Sequence, residues 1–350
     1  MPLLGAAVSD TRDGRGRNGM GIRSTSEQQL AAFEAHRLPE FEEVRPGVYA
    51  VAFELPNSWL GYSFGYLIQE SDSLHLVDVG ADSDSNWQAL ADAVGTLGRR
   101  VSDIATVMLT HVHGDHTGLS ARLQAAGATT VAMHVADTQA LRSGAVRVDR
   151  IQFESWLEEW EVPAEQRDLM RDAAKRPVAS APMFEVSTVL NGDEAVKLGA
   201  RTLRVVHTPG HTTGHIVLID DDAGIVFTGD HVLPRINTGV GLGGRLLGDD
   251  PIGDYLTALE RLGEVAEYEV LPGHCYRFSN VGARTRQLRE HHLRRARDVE
   301  MVIGSLPGVG VWEIASRLQW AMGWENLSGT ARFSALCQTS MHVARLRGTQ

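Results

Sequence analysis

The stretch THVHGDH at residues 110–116 concentrates side chains that bind metal ions, and it follows an apolar run directly. Positions i and i+2 of an extended segment face the same side, so His111 and His113 can chelate one cation. The glycine between them and the next pair permits a turn that directs Asp115 and His116 toward a second position. Imidazole suits zinc, iron, copper or nickel, and a carboxylate extends the choice to harder metals.

Further residues of the same chemistry follow other apolar runs. They are Thr-Pro-Gly-His at 208–211, Gly-Asp at 229–230 and Pro-Gly-His at 272–274. A two-metal site needs more ligands than one loop supplies, and strand ends are where we expect them. His211, Asp230 and His274 are therefore candidate ligands.

The order and context of these residues resemble the metallo-β-lactamase fold superfamily over about residues 44–280. The residues that carry the resemblance are Asp78, His111-x-His113-x-Asp115-His116, His211, Asp230 and His274. The resemblance implies an αββα sandwich of the α/β (α+β) class with its metal site at one edge of two sheets. It also implies one metal on His111, His113 and His211, a second on Asp115, His116 and His274, and a bridging Asp230. Asp78 would support the ligand loop without coordinating.

The chemistry implied by this resemblance is hydrolysis by a metal-bridging hydroxide that attacks a carbonyl carbon. Two divalent ions lower the pKa of water to about 7 and stabilise the developing charges. Asp115 is the candidate catalytic residue, because it could orient the nucleophile. Zinc is the default ion, and iron or manganese fits the same ligands.

The substrate is narrowed by comparison with branches of the superfamily. Asp230 stands where the best-known β-lactamases have cysteine, which disfavours penicillin hydrolysis. The stretch TPGHTTGHI at 208–216 is similar to hydroxyacylglutathione hydrolases, which cleave thioesters. We therefore expect a small-molecule acyl thioester or ester as substrate. A lactonase or a ribonuclease of the same fold, and a non-catalytic nucleic-acid binder, remain alternatives.

The charge is unevenly distributed along the chain. The net charge is −11; residues 276–350 hold 11 Arg and no Lys against 5 Asp and Glu, or +6, which leaves −17 for the remainder. Such an end can bind nucleic acid, but an arginine-rich helical surface explains the positive charge as well.

No apolar run approaches the ~20 residues of a membrane span. The sequence shows no signal-peptide pattern, and its two cysteines favour a reducing cytoplasm.

The elements that must position these residues alternate between short strands and helices. Strands are predicted at 48–53, 64–69, 74–79, 104–109, 129–133, 202–206, 216–219, 225–227 and 269–271. Residues 1–43 are predicted to be disordered or extended, 44–280 to form the hydrolase domain, and 281–350 to form a helical, winged-helix-like appendage. The run Gly239–Gly244 is predicted to be a loop beside the metal cleft.

A helical insert at 151–176 interrupts the hydrolase domain. Phe153, Trp156 and Trp160 share one helical face at i, i+3 and i+7. They are predicted either to form a lid with an aromatic wall toward the substrate or to pack the insert onto the domain.

Overall fold

Two seven-stranded sheets form the centre of the protein in the computed structural model. The structure describes residues 21–56, 58–127, 129–144, 150–174, 183–242 and 250–348. The strands within these ranges are β1 (Arg23–Ser24), β2 (Glu42–Arg45), β3 (Val48–Glu54), β4 (Tyr62–Gln69), β5 (Leu74–Val77), β6 (Ile104–Met108), β7 (Thr130–His134), β8 (Thr188–Leu190), β9 (Ala195–Leu198), β10 (Arg201–His207), β11 (Ile216–Asp220), β12 (Ile225–Gly229), β13 (Glu269–Pro272) and β14 (Phe278–Ser279).

Helices cover both outer faces and make up the carboxy-terminal region. They are α1 (Glu27–Glu34), α2 (Asp84–Thr96), α3 (Gly114–Thr117), α4 (Ser120–Ala126), α5 (Val135–Ser143), α6 (Arg150–Glu159), α7 (Ala164–Ala174), α8 (Pro251–Arg261), α9 (Val281–Ser305), α10 (Val311–Arg317) and α11 (Gly329–Gly348). Short 3-10 helices lie at Val101–Asp103, Leu262–Val265 and Trp324–Asn326.

The strand order is β2-β3-β4-β5-β6-β7-β8 in one sheet and β1-β14-β13-β12-β11-β10-β9 in the other. Strands β5 to β8 run parallel to one another, and β12 runs parallel to β13. Strands β3, β4 and β5 form an antiparallel meander. Both sheets are mixed, and the parallel strands deliver their carboxyl ends to one edge.

Successive side chains of the central strands alternate between two hydrophobic layers. In β11, Ile216 and Leu218 point into the core between the sheets, whereas Val217 and Ile219 point to the outer face. Because both faces of β11 are buried, the strand is a continuous apolar run and not an alternating one. The outer layers are completed by α2 and α4 on one sheet and by α8 and α9 on the other. These layers confirm the predicted αββα sandwich and the α+β class.

Residues 21–43, predicted to be disordered or extended, contain a short strand and a helix. Arg23 and Ser24 pair with Ser279 and Phe278, and a helix capped by the Ser26 hydroxyl follows. A two-residue strand and a single capped helix leave little hydrophobic periodicity, so the sequence signal was weak. Residues 1–20 lie outside the described residues.

After residue 280, the described residues contain helices only, as predicted, and no strand of a wing is among them. These helices do not stand alone. Trp160 and Met170 of the insert share a buried cluster with Val299 of α9, Ile314 of α10 and Leu336 of α11. The insert and the carboxy-terminal helices therefore form one helical unit. None of the helices among the described residues combines the length and apolar character needed to cross a bilayer.

The three aromatic residues of the insert pack inside this helical unit. The ring centroid of Phe333 in α11 lies 4.9 Å from that of Phe153, 6.2 Å from Trp156 and 5.6 Å from Trp160. The rings therefore pack the insert, as in the second interpretation, but against the carboxy-terminal helices and not against the hydrolase domain. Residues 175–176 of the insert lie outside the described residues, and the lid itself stays a prediction.

Candidate metal centre

Every candidate ligand follows a strand and lies where the two sheets meet. His111, His113, Asp115 and His116 follow β6, His211 follows β10, Asp230 follows β12, and His274 follows β13. The sheets are joined at this edge by backbone hydrogen bonds from Phe64 N to Gly273 O and from Ile216 N to Thr110 O, both 2.8 Å. The strand-end placement predicted from the sequence is thus present for all seven residues.

The first triad consists of His111, His113 and His211. The Nδ1 atom of His113 lies 3.0 Å from Nε2 of His111 and 3.0 Å from Nε2 of His211. Ligand atoms around a tetrahedral ion with bonds of 2.0–2.1 Å lie roughly 3.3 Å apart. The three nitrogens therefore have about the spacing of a ligand set.

The opposite ring nitrogens show where the protons of these imidazoles are. Nε2 of His113 donates to the Leu242 carbonyl at 3.2 Å, and Nδ1 of His211 donates to the Gly239 carbonyl at 2.6 Å. Nδ1 of His111 lies 3.0 Å from the Thr110 hydroxyl, which gives its own proton to Asp78 and must accept here. Each ring thus turns a lone pair toward the other two.

Two of these imidazoles, His111 and His211, are held neutral. Burial lowers the pKa of His111 well below its usual value, and His116, His113 and His211 lower it further. Burial and the neighbouring His113 lower the pKa of His211 to about 4. Three facing lone pairs without a proton repel one another, so the triad fits a cation.

The second triad consists of Asp115, His116 and His274. Oδ2 of Asp115 lies 3.9 Å from Nε2 of His116 and 3.5 Å from Nε2 of His274. The Nδ1 atoms of the two histidines make hydrogen bonds outside the triad. Nδ1 of His116 lies 2.8 Å from Oδ2 of Asp78, and Nδ1 of His274 donates to the Tyr62 carbonyl at 2.7 Å.

Asp230 lies between the two triads. Its Oδ1 is 3.5 Å from Nε2 of His116 and 3.3 Å from Nε2 of His274, whereas its Oδ2 is 3.6 Å from Nε2 of His211. Among the described residues, the buried atoms Oδ1 of Asp230 and Nε2 of His116 and His274 have no hydrogen-bond partner. Buried polar atoms without a partner that converge on one point are typical of a metal site, so these residues fit a divalent metal.

Charge in the second triad is strongly coupled. Burial disfavours the charged forms, but the carboxylates of Asp78, Asp230 and Asp115 outweigh it and raise the pKa of His116 to about 9. Burial would likewise raise the pKa of Asp115, yet His116 and His274 lower it below its usual range. The carboxyl groups of Asp115 and Asp230, whose pKa values are both lowered, are therefore ionised and can act as ligands.

Three further side chains support the ligands. Asp78, at a positive φ of 57°, accepts hydrogen bonds from the Thr110 amide and hydroxyl, both at 2.8 Å. The Ser63 hydroxyl donates to the Asp115 carbonyl at 2.8 Å. The ring Nε2 of His215 accepts from the Asp230 amide at 3.2 Å. The role expected for Asp78 agrees with this geometry.

Sequence reasoning missed Asp137, in the first turn of α5. Its buried carboxylate accepts from the Val112 amide at 2.9 Å, the Thr212 hydroxyl at 2.7 Å and the Gly214 amide at 2.7 Å. It therefore ties the His111–His113 loop to the loop after His211. An aspartate in a helix first turn is commonplace, so the only available signal was its position after a buried strand.

The predicted loop beside the cleft is present in its described part, residues 239–242. It contributes main-chain carbonyls: Gly239 accepts from the candidate ligand His211, and Leu242 accepts from the candidate ligand His113. Residues 243–244 lie outside the described residues.

The geometry agrees with family membership. The sequence model of the metallo-beta-lactamase superfamily of proteins matches residues 59–274, which is more than half of the chain. The chain therefore belongs to the metallo-β-lactamase superfamily, a family of metallo-hydrolases.

Named relatives match part of this chain. The probable metallo-hydrolase YqjP of Bacillus subtilis is 27% identical over 268 residues, covering 73% of this chain and 81% of that protein. The acyl-coenzyme A thioesterase MBLAC2 of Homo sapiens is 33% identical over 195 residues, covering 53% of this chain. The chain matches 61% of the length of MBLAC2.

Solved structures show the same fold. A metallo-beta-lactamase family protein from Thermus thermophilus aligns with a TM-score of 0.65 at 26% identity, covering 88% of this chain and 95% of its own. A beta-lactamase domain protein from Burkholderia ambifaria aligns with a TM-score of 0.69 at 24% identity, covering 94% of this chain and 93% of its own.

Proposed function

We propose that this protein is a dinuclear metal-dependent hydrolase of acyl thioesters. The observation that carries the proposal is the pair of facing triads, in which Asp230 turns one carboxylate oxygen toward each. The likeness to an acyl-coenzyme A thioesterase favours a thioester among the possible carbonyl substrates. Zinc is the proposed ion, with iron or manganese as alternatives for the same ligands.

His111, His113 and His211 would hold one ion, and Asp115, His116 and His274 the other, with Asp230 shared. Ions bound there would supply Lewis-acid polarisation of the carbonyl and a nucleophile at neutral pH. The chain's part is to fix each ring by its second nitrogen, so that the ligand atoms are aligned before an ion arrives. Asp78, through Nδ1 of His116, is the positioning residue for the second ion.

Asp115 is the proposed catalytic residue. Its side chain is 12% exposed, against 2% for Asp230, so it is the carboxylate of the pair that reaches the cleft. The neighbours His116 and His274 lower the pKa of Asp115, so its carboxyl group is ionised. It can therefore accept a hydrogen bond from an attacking water and orient it.

The alternatives of lactonase and ribonuclease share the metal centre, so the substrate must separate them. The basic carboxy-terminal region gives the ribonuclease less support than its +6 charge suggested. Arg277 is paired with Glu42 and Glu269, both at 2.6 Å, and Arg284 donates to two main-chain carbonyls. Arginines bound within the fold offer little charge to a phosphate backbone.

That the protein resides in a reducing cytoplasm stays a prediction.

The proposal is tested by measuring metal content and turnover together. Purified protein is expected to hold two metal ions per chain and to hydrolyse acyl-coenzyme A more efficiently than a lactone or a structured RNA. His111→Ala should lose metal and lower turnover by at least about a hundredfold. His36→Asn, at an exposed position away from the cleft, is the control. Two metals retained in His111→Ala, or faster turnover of lactone than thioester, would overturn the assignment.

A further inference from the structure

A second group of buried imidazoles lies between α9 and α11, outside the metal centre. We call His291, His292, Arg295 and His342 the basic cluster. The ring of His292 is 5.3 Å from that of His291 and 5.9 Å from that of His342, centroid to centroid. His292 and His342 are 5% and 2% exposed. The mechanism proposed above uses none of these residues.

The basic cluster is rich in buried polar atoms without a partner. Five buried atoms make no hydrogen bond to any part of the chain that the structure describes: both ring nitrogens of His292, Nδ1 of His342, and Nε and Nη1 of Arg295. Arg295 satisfies one remaining donor on the Gln319 carbonyl at 3.0 Å and stacks 4.4 Å above the Trp320 ring. Folded proteins rarely leave so many buried donors unmet, because each costs about 1–3 kcal/mol.

The charge of the basic cluster has one sign. Among the described residues, none of the four members forms an ion pair. Burial lowers the pKa of Arg295, and the acidic group that raises it is Asp298. Burial and the arginines 295, 294 and 284 lower the pKa of His291 to about 4. Burial and Arg295 also lower the pKa of His342, to about 3. The histidines therefore lie in a positive potential.

These features match an anion better than a metal. Among the described residues, the ring nitrogens of the three histidines do not gather as tightly as those of the metal centre. Nδ1 of His291 accepts from the side-chain Nδ2 of Asn237 at 3.2 Å. The ring proton of His291 is therefore on Nε2, which is a donor. Arg295 follows His291 by four residues and His292 by three on the same helix, so the three side chains lie on neighbouring positions of its surface. Its buried, unbonded N–H groups supply donors and positive charge, which suit an oxyanion.

We propose that the basic cluster, Arg295 with His291, His292 and His342, binds a phosphate or carboxylate group. The bound oxygens would accept from the orphaned guanidinium and imidazole donors and supply the missing counter-charge.

The basic cluster touches the loop that leads to the metal centre. Asn237, its contact on that loop, lies two residues before Gly239, whose carbonyl holds His211. On the other side, the ring of Tyr255 is 5.2 Å from His292 and 4.8 Å from His231, which follows Asp230 in sequence. An anion in the basic cluster therefore lies next to residues that adjoin two metal ligands.

The test is direct binding, which does not depend on turnover. Metal-loaded wild-type protein is titrated by calorimetry with inorganic phosphate and, separately, with acetate at constant ionic strength. Saturable binding of one of them at about one per chain is expected, and the better binder identifies the class of oxyanion. Arg295→Gln and His342→Gln should each weaken binding at least tenfold. Arg317→Gln, an exposed arginine paired with Glu313 on α10, is the control and should bind as wild type does.

Three outcomes overturn the proposal. Binding retained in both variants would mean that the anion occupies the metal centre or another surface. Equal weakening in Arg317→Gln would mean a non-specific charge effect. No binding of either anion would mean that water alone fills the basic cluster. Because Arg295 also packs on Trp320, circular dichroism and thermal melting must show that Arg295→Gln is folded, and His342→Gln decides the question if it is not.

Discussion

The carboxylate of Asp137 accepts a hydrogen bond of 2.7 Å from the hydroxyl of Thr212, the residue after the candidate ligand His211. The same oxygen, Oδ2, accepts from the amide of Val112, between His111 and His113. One buried carboxylate thus joins two ligand loops that are about a hundred residues apart in sequence, and it sets the separation of the first triad.

We predict that Asp137→Asn weakens metal binding at the first triad. An asparagine amide has one acceptor oxygen, and its NH2 group would face a backbone or hydroxyl donor that the carboxylate now accepts. The resulting loss of alignment should lower metal affinity roughly 10- to 100-fold. Affinity is measured by competition with a chelator of known strength. Asp220→Asn, a buried aspartate bonded to the Ala223 amide far from the centre, is the control. Equal losses in both variants would contradict a role specific to the ligand loops.

We predict that Gly273→Ala disrupts the second triad. A Cβ at this position would lie 2.7 Å from Oδ1 of Asp230 and 2.7 Å from Cε1 of His116, so both ligands must move. Elemental analysis should show loss of metal, with turnover falling in parallel. Gly263→Ala, where a Cβ meets nothing within 4 Å, provides the control. Full metal content and turnover in Gly273→Ala would show that the close approach is unimportant.

We predict that acid destabilises the carboxy-terminal helical unit through His342. Burial, Arg295 and His291 lower its pKa in the folded state to about 3, whereas an unfolded histidine titrates near 6.5. The unfolded chain therefore takes up the proton first, so this contribution is intact above about pH 6.5 and is lost as the pH falls below it. At pH 5 the expected loss is roughly 2 kcal/mol.

The measurement is urea unfolding at pH 7.5 and pH 5.0 in buffers without phosphate. Because other histidines also titrate, the comparison is between wild type and His342→Phe, which cannot be protonated. The variant should lose less stability between the two pH values. The same loss in both proteins would show that His342 is not a source of acid sensitivity.

We predict that Trp156→Ala lowers stability and leaves substrate affinity unchanged. Its ring stacks on Trp160 at 5.6 Å and packs near Phe333, within the helical unit. Losing this contact should cost roughly 2–3 kcal/mol, measured by thermal or urea unfolding. The Michaelis constant for a long-chain acyl thioester should stay within about twofold. A raised Michaelis constant with unchanged stability would favour the lid.

The fold of the sandwich could be predicted because its signals are local. The nine predicted strands are all present, with bounds shifted by one or two residues, since apolar runs and turn residues mark them directly. The short strands β1, β2, β8, β9 and β14 were missed because two to four residues carry too little periodicity. The helix α5 was missed although it holds Asp137.

Sequence by itself determined the ligand types, their spacing and their positions at strand ends. Alternation along an extended segment is a property of the backbone, so His111 and His113 could be assigned to one side without a structure. The pairing of the distant His211, Asp230 and His274 with them rested on family resemblance, and their convergence is visible only in the folded chain.

Tertiary structure alone decided what surrounds the ligands. The carbonyls of Gly239 and Leu242 set the ring protons of His211 and His113, and main-chain carbonyls leave no trace in residue identity. The union of the insert with the carboxy-terminal helices, and the buried basic cluster between α9 and α11, are likewise contacts between segments far apart in sequence. Such contacts depend on how layers stack and not on local periodicity, which is why the sequence identified the chemistry of the site but not its supports.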